Sequence, residues 1–294
     1  MRVEVTSSSP LTFGDGSPVR AASAIAPFGD GWLIVQDDAT HAAWLRPGSV
    51  TAVRVVEPVG GLEMFSAADG TKHLKPDFEA ACAVPDGVLL LGSGSTRARM
   101  RVSLVTSGPS FTVADLAPTY QRVATALGIR VDQLNLEGAC LIGDRLRWFH
   151  RGNAAAGTPT ACLDVDAAAM LAAVHGAAAA DQVPVGDVRR YDLGHVGGVA
   201  LGVTDAVLLA DGRVLVSAAA EDTPNAVDDG PVVAAALALL DDAGVLAVAD
   251  LPQAYKVEGI AVSGTTADGL DLLAVVDADD PDTPSHRLEL RLRW

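Results

Sequence analysis

Residues 204–250, "TDAVLLADGRVLVSAAAEDTPNAVDDGPVVAAALALLDDAGVLAVAD", decide the fold. Four apolar runs stand out in this stretch: DAVLLA, RVLVSAAAE, VVAAALALL and GVLAVAD. Each is too short for an ordinary helix, and each is bounded by Asp, Gly or a polar loop, which reads as four consecutive strands. Strands joined by such tight turns pair antiparallel with their chain neighbours, so this segment predicts one four-stranded sheet.

The same order recurs on either side. "ASAIAPFGDGWLIVQDDATHAAWL" (22–45), "FEAACAVPDGVLLLGSGSTRARMRVSLV" (78–105), "LEGACLIGDRLRWFHRGN" (136–153, continued by "TPTACLDV") and "VEGIAVSG" (from 257) open four further copies. Aligned on the residue that heads each first strand, the copies are keyed by Ser23, Glu79, Glu137, Asp205 and Glu258, which lie 56, 58, 68 and 53 residues apart. Beyond Glu258 lie 36 residues and the first 23 lead to Ser23, which together amount to about one more period. Radial repetition of four-stranded antiparallel blades is a β-propeller. We therefore expect an all-β, five-bladed propeller occupying 1–294 as one domain, or six blades if the 68-residue spacing hides a short one. The last copy runs out after its third strand, "HRLELRLRW", and the N-terminal "MRVEVTSS" is expected to supply the fourth and close the ring. "LAPTYQRVATALG" (116–128) and "DVDAAAMLAAVHGAAAA" (164–180) carry helical spacing and are expected as excursions between blades.

Composition narrows the partners. A formal net charge of −16 disfavours nucleic acid and anionic membrane. The longest apolar run, "PVVAAALALL", is too short to span a bilayer. "MRVEVTSSSPLTF" has no secretory h-region, so a cytoplasmic location is expected. Cys82 and Cys140 follow the glutamate motifs inside apolar runs, and with Cys162 they are expected as buried free thiols.

Equivalent positions on the innermost strands of a propeller meet around its axis, which brings Ser23, Glu79, Glu137, Asp205 and Glu258 together. Like charges at that range cannot all ionise without compensation. Either a cation sits among them, for which an all-oxygen ring suits Ca²⁺, or the side chains staple neighbouring blades through backbone groups.

These motifs resemble those of the calcium-activated nucleotidases, the soluble apyrases. The resemblance implies a five-bladed propeller with Ca²⁺ in the channel on Ser23, Glu79, Glu137 and Glu258. Thr204-Asp205 stands where that family has serines, and "DDATH" lacks the arginine that follows its paired aspartates. The "EGIA" phrase is also similar to esterase-like phytase domains.

The second strand of each copy runs out into a polar loop. These exits carry Asp37, Asp38 and His41; Ser93, Ser95, Arg97 and Arg99; His150, Arg151 and Asn153; Glu221, Asp222 and Asn225; and Asp277, Asp279 and Asp280. Arginines facing carboxylates suit a small anionic molecule. One reading is a metal-dependent hydrolase of a phosphate ester or anhydride, with Arg97 and Arg151 holding the phosphate and Asp38 orienting water. The other is a non-catalytic propeller that presents the same rim to a ligand or protein. "GDG" (29–31) reads as a turn, "GHVGGVALG" as a crossing between blades with His195 as a loop donor, and no Gly-x-Ser-x-Gly or His-Glu-x-x-His motif occurs.

Overall fold

In the computed structural model, which describes residues 1–153, 157–223, 230–280 and 282–294, the chain forms five antiparallel sheets around one axis. The first blade is β2 (Ala22–Phe28), β3 (Gly31–Gln36), β4 (His41–Arg46) and β5 (Ser49–Arg54). The second is β6 (Phe78–Val84), β7 (Gly87–Gly92), β8 (Arg101–Thr106) and β9 (Ser110–Asp115). The third is β10 (Leu136–Ile142), β11 (Arg145–His150), β12 (Ala161–Asp166) and β13 (Val185–Arg190). In the fourth, a two-residue strand β14 (His195–Val196) precedes β15 (Val199–Leu208), β16 (Val214–Glu221), β17 (Val232–Leu240) and β18 (Val245–Asp250). The fifth is β19 (Val257–Thr266), β20 (Gly269–Val276), β21 (His286–Arg293) and, as its outer strand, the N-terminal β1 (Arg2–Pro10). β1 runs antiparallel to β21 from Arg2 opposite Arg293 to Pro10 opposite His286, which closes the ring as the sequence predicts. There are five blades, and the long third spacing holds a helix instead of a sixth.

The placement of that helix corrects one expectation. α1 (Ala117–Leu127) lies between the second and third blades, but α2 (Ala167–Val174) joins β12 to β13 inside the third. Asp166 caps α2 by accepting a hydrogen bond from Ala169 N. Both helices bury their apolar faces in the core between the second and third blades, where Tyr120 of α1 meets Trp148 edge-on at 5.0 Å.

Apolar side chains alternate along each strand, so every blade feeds two cores. Leu89 and Leu91 of β7 face the third blade while Val88 and Leu90 face the first. The described residues accordingly form five hydrophobic clusters, one at each interface between neighbouring blades. This two-sided burial explains why the strands read as nearly unbroken apolar runs. Cys82, Cys140 and Cys162 are buried and free, as expected. Among the described residues no helix is long and apolar enough to cross a membrane.

One irregularity repeats in all five innermost strands. β2, β6, β10, β15 and β19 each slip register against the next strand, near the N-terminal end in four and mid-strand in β15, and the residues left out of the ladder include Ser23, Glu79, Glu137, Thr204 and Glu258. A β-bulge of this kind re-aims a side chain out of the pleat. In four blades it brings the bulged residue, Ser23, Glu79, Glu137 or Glu258, to the end of the channel, whereas the buried Thr204 bonds to Ser217 and Val257 instead.

Candidate functional site

The bulges place Ser23, Glu79, Glu137 and Glu258 around a polar cavity of about 80 Å³ at the channel mouth. The fourth blade departs from the expected key. Its bulged residue is Thr204, and Asp205, one step on, points away from the cavity. The Asp205 carboxyl is buried and accepts Ile260 N at 2.8 Å, while its Oδ1 has no partner among the described residues. Burial holds that carboxyl well above the usual range. Asp205 therefore links the fourth blade to the fifth, and the ring of carboxylates narrows to three glutamates.

Each of those three faces a cation supplied by the chain itself. Lys75 Nζ pairs with Asp37, lies 2.7 Å from Asp77 and 3.8 Å from Glu79. Lys256 Nζ pairs with Asp279 and lies 3.5 Å from Asp277 and 3.6 Å from Glu258. Arg151 reaches Glu137 at 3.3 Å with one nitrogen and Glu221 with another. Asn135 Nδ2 donates to the same Glu137 oxygen, Oε1, at 2.7 Å. The chain has only three lysines, Lys72, Lys75 and Lys256, and all three line this one cavity. Lysine is used nowhere else, so their convergence here is not a general feature of a solvated surface.

Burial governs the protonation of the carboxyls. It pushes Glu137 up to about 8, against the opposing pull of Arg151. It raises Asp277 to about 7 and also raises Glu258, with Lys256 pulling the other way in both. Glu79 is held well above its ordinary value by burial and then by Asp37 and Asp77. Asp77 is the exception: burial favours its neutral form, but Lys75 and Arg99 keep it below the usual carboxylate range. Burial works against the charge of Lys75 and Lys256 too, yet the surrounding carboxylates hold both ammonium groups well above their ordinary value.

The rim residues divide. Asp37, Arg99, Arg151, Asn153, Glu221 and Asp277 line the cavity, and Asp279 reaches it through Lys256. Ser95 stands behind, accepting a hydrogen bond from Arg99 at 2.9 Å. Arg97 lies outside, exposed and paired with Asp115 at 2.6 Å. Asp38 is bound to Arg20 at 2.6 Å, and burial pushes its carboxyl to about 6; neither it nor His41, which packs on Phe13 at 5.6 Å, lines the cavity. His150 is buried behind the site with Nδ1 3.0 Å from Asn135 O, and burial lowers it to about 4, so it is uncharged at neutral pH. Asp222 lines a neighbouring groove, Asp280 accepts from Thr283 in a turn, and Asn225 lies outside the described residues. The structure thus assembles Arg151 without Arg97 and Asp38. It brings in Lys75, Asp77, Asn135 and Lys256, which the sequence reading passed over.

The donor set does not fit the Ca²⁺ that the apyrase resemblance implies. A hard dication needs six to eight oxygens free to turn toward it, whereas every ring glutamate already faces a protein cation.

A wider groove of about 760 Å³ opens between the third and fourth blades and meets the channel mouth at Arg151, Asn153 and Glu221. Tyr191, Leu193, Leu201 and Ala219 line it together with Thr158 and Thr160.

A family model described as a family of unknown function (DUF6910) matches residues 71–281. The chain belongs to this family. The DUF6910 match includes four of the five inner strands and all three lysines. No curated protein matches the chain. Among solved structures, this DUF6910 member is similar to Myxococcus xanthus glutaminyl cyclase, at 10% identity and a TM-score of 0.54 over 99% of this chain and 96% of that one. It is also similar to a hypothetical protein from Leishmania major, at 15% identity and a TM-score of 0.50 over 99% and 91%. At these identities the likeness concerns the fold alone.

Proposed function

We propose that the channel mouth is an acid–base catalytic site acting on a small uncharged or zwitterionic molecule that enters by the groove between the third and fourth blades. The observation that carries this reading is the convergence of all three lysines and seven carboxylates on one cavity continuous with that groove. Buried carboxyls shifted toward neutrality next to fixed cations are a recurrent signature of catalytic sites. Glu137 is the general acid: it holds its proton at neutral pH, and Arg151 and Asn135 fix its orientation. Lys256 keeps Asp277 and Glu258 oriented so that one of them accepts a proton in return. The reaction class is proton-assisted bond cleavage, as in a hydrolase.

The lining also bears on substrate charge. Seven carboxylates against Lys72, Lys75, Arg99, Arg151 and Lys256 leave no surplus of positive charge for a polyphosphate. The cavity is also far below the roughly 300–1,000 Å³ of a drug-sized ligand site, so only the reacting end of a larger substrate enters it. A phosphate ester is accordingly the less favoured substrate of such a hydrolase. A non-catalytic reading, in which the ring only joins blades, draws its support from the Ser23 and Thr204 contacts with neighbouring strands.

The test is a thermal-shift and turnover screen of neutral sugars, amino acids, small peptides, phosphate monoesters and nucleotides. Stabilisation by neutral or zwitterionic members is expected, with turnover abolished in Glu137→Gln and falling above about pH 8 in the wild type. Binding confined to nucleotides, or turnover that survives Glu137→Gln, would refute the assignment.

A further inference from the structure

We infer that Lys75 and Lys256, with Arg151, occupy the positions a channel metal ion would take, and that this propeller is built to hold its channel carboxylates without a metal. Asp37, Asp77 and Glu79 each bring a carboxylate oxygen within 4.8 Å of the others, a spacing that suits a hard cation. Lys75 Nζ lies against all three, paired with Asp37, 2.7 Å from Asp77 and 3.8 Å from Glu79. An ammonium offers three donors, and this one lies within 4 Å of three carboxylates from two blades. Arg99 adds a second positive charge 3.2 Å from Asp77, so a divalent ion entering the triangle meets repulsion from both sides.

The arrangement recurs on the fifth blade. Lys256 stands two residues before Glu258, and its Nζ gathers Glu258, Asp277 and Asp279. Lys75 likewise stands two residues before Asp77 and four before Glu79 on the chain that leads into β6. Two blades thus deliver the same device by the same route: a lysine just ahead of the inner strand folds over the carboxylates that follow it. Arg151 closes the third position by bridging Glu137 to Glu221. A positive charge attached to the chain cannot be chelated away. The channel of this protein is therefore insensitive to calcium depletion, whatever its catalytic role.

The experiment compares melting temperatures and bound metal in wild type and Lys75→Met. Both proteins are dialysed against EDTA and then titrated with CaCl₂ or MgCl₂, and metal content is read by elemental analysis. For the wild type the melting temperature is expected to be the same in EDTA, Ca²⁺ and Mg²⁺, with no stoichiometric metal retained. Removing the ammonium takes away the cation that Asp37, Asp77 and Glu79 share and leaves only Arg99 beside Asp77, so Lys75→Met is expected to melt lower in EDTA. Ca²⁺ should then restore it by roughly 5 °C or more at a hundredfold excess over Kd. A wild-type protein that loses stability in EDTA and regains it with Ca²⁺ overturns the inference. So does a folded Lys75→Met protein that ignores Ca²⁺. If Lys75→Met folds only with Ca²⁺ the inference holds, and if it does not fold at all the wild-type titration decides. Neither readout involves turnover, so the result is separate from the fate of the catalytic assignment.

Discussion

Ser23 and Thr204 make the same contact at two places around the ring. The Ser23 hydroxyl donates to the carbonyl of Phe78 at 2.7 Å, and the Thr204 hydroxyl donates to the carbonyl of Val257 at 2.6 Å. In each case the acceptor is the residue immediately before a channel glutamate, Glu79 or Glu258. A hydroxyl on one blade thus fixes the backbone that aims the carboxylate of the next. Ser23→Ala and Thr204→Val should each cost about 1–2 kcal/mol, because each leaves a buried carbonyl without its donor. Asp205→Asn should be nearly neutral, since an amide oxygen can still accept Ile260 N, whereas Asp205→Ala should cost about 1–3 kcal/mol. Urea denaturation of the four variants checks this. Equal costs for Asp205→Asn and Asp205→Ala would show that the charge matters and not the acceptor.

Gly138 and Gly259 follow two of those glutamates for a steric reason. A Cβ on Gly138 would stand 2.8 Å from the backbone of Asp205, and Gly138 has φ +72°. A Cβ on Gly259 would stand 2.9 Å from the backbone of Ala24 and 2.7 Å from Val275. The glycines let the inner strands of neighbouring blades approach. Gly138→Ala combines overpacking with a left-handed backbone and should cost about 3 kcal/mol or more, and Gly259→Ala about 1–3 kcal/mol. Melting curves of both variants check the order.

Protonation gives stability a definite pH slope. The Glu137 carboxyl, at about 8 in the folded protein against 4.5 ordinarily, holds its proton after the unfolded chain has lost it. Its contribution is complete below about pH 4.5 and is lost as pH rises through about 8, and Asp277 acts alike up to about 7. Stability should therefore fall as pH rises from about 5 through 8, and Glu79, Glu258 and Asp205, which burial also raises, add to that downward slope. Glu137→Gln should flatten that slope. Chemical denaturation at pH 5, 6, 7, 8 and 9 measures it, and a wild-type slope of the opposite sign would contradict the protonation assigned here.

The five-blade architecture was legible because burial on both faces of each blade leaves long apolar runs at a regular period, and because Glu79, Glu137 and Glu258 mark the same point in three of them. What the sequence hid is a matter of direction. A one-residue slip separates Thr204 from Asp205, and only the bulge decides which of the two polar neighbours leaves the ladder. Arg97 and Arg99 are two positions apart in one short helical turn, yet one pairs with Asp115 in solvent and the other with buried Asp77. The signal that would have found the missing cations was present. Lys256 stands in "KVEGIA", Lys75 in "KPDFE", and a chain with three lysines spends two of them just ahead of an inner-strand glutamate. The sequence alone does not separate α2 from a helix between blades, because a helix inserted before the last strand of a blade has the same local sequence as one inserted after it.

The most direct measurement is the titration of the Glu137 carboxyl itself, followed by ¹³C NMR of glutamate-labelled protein and assigned by comparison with Glu137→Gln. An acid–base site at the channel mouth requires this group to be protonated at pH 7, with a midpoint near 8. A midpoint in the ordinary range near 4.5, with the carboxylate fully ionised beside Arg151 at neutral pH, would contradict the account.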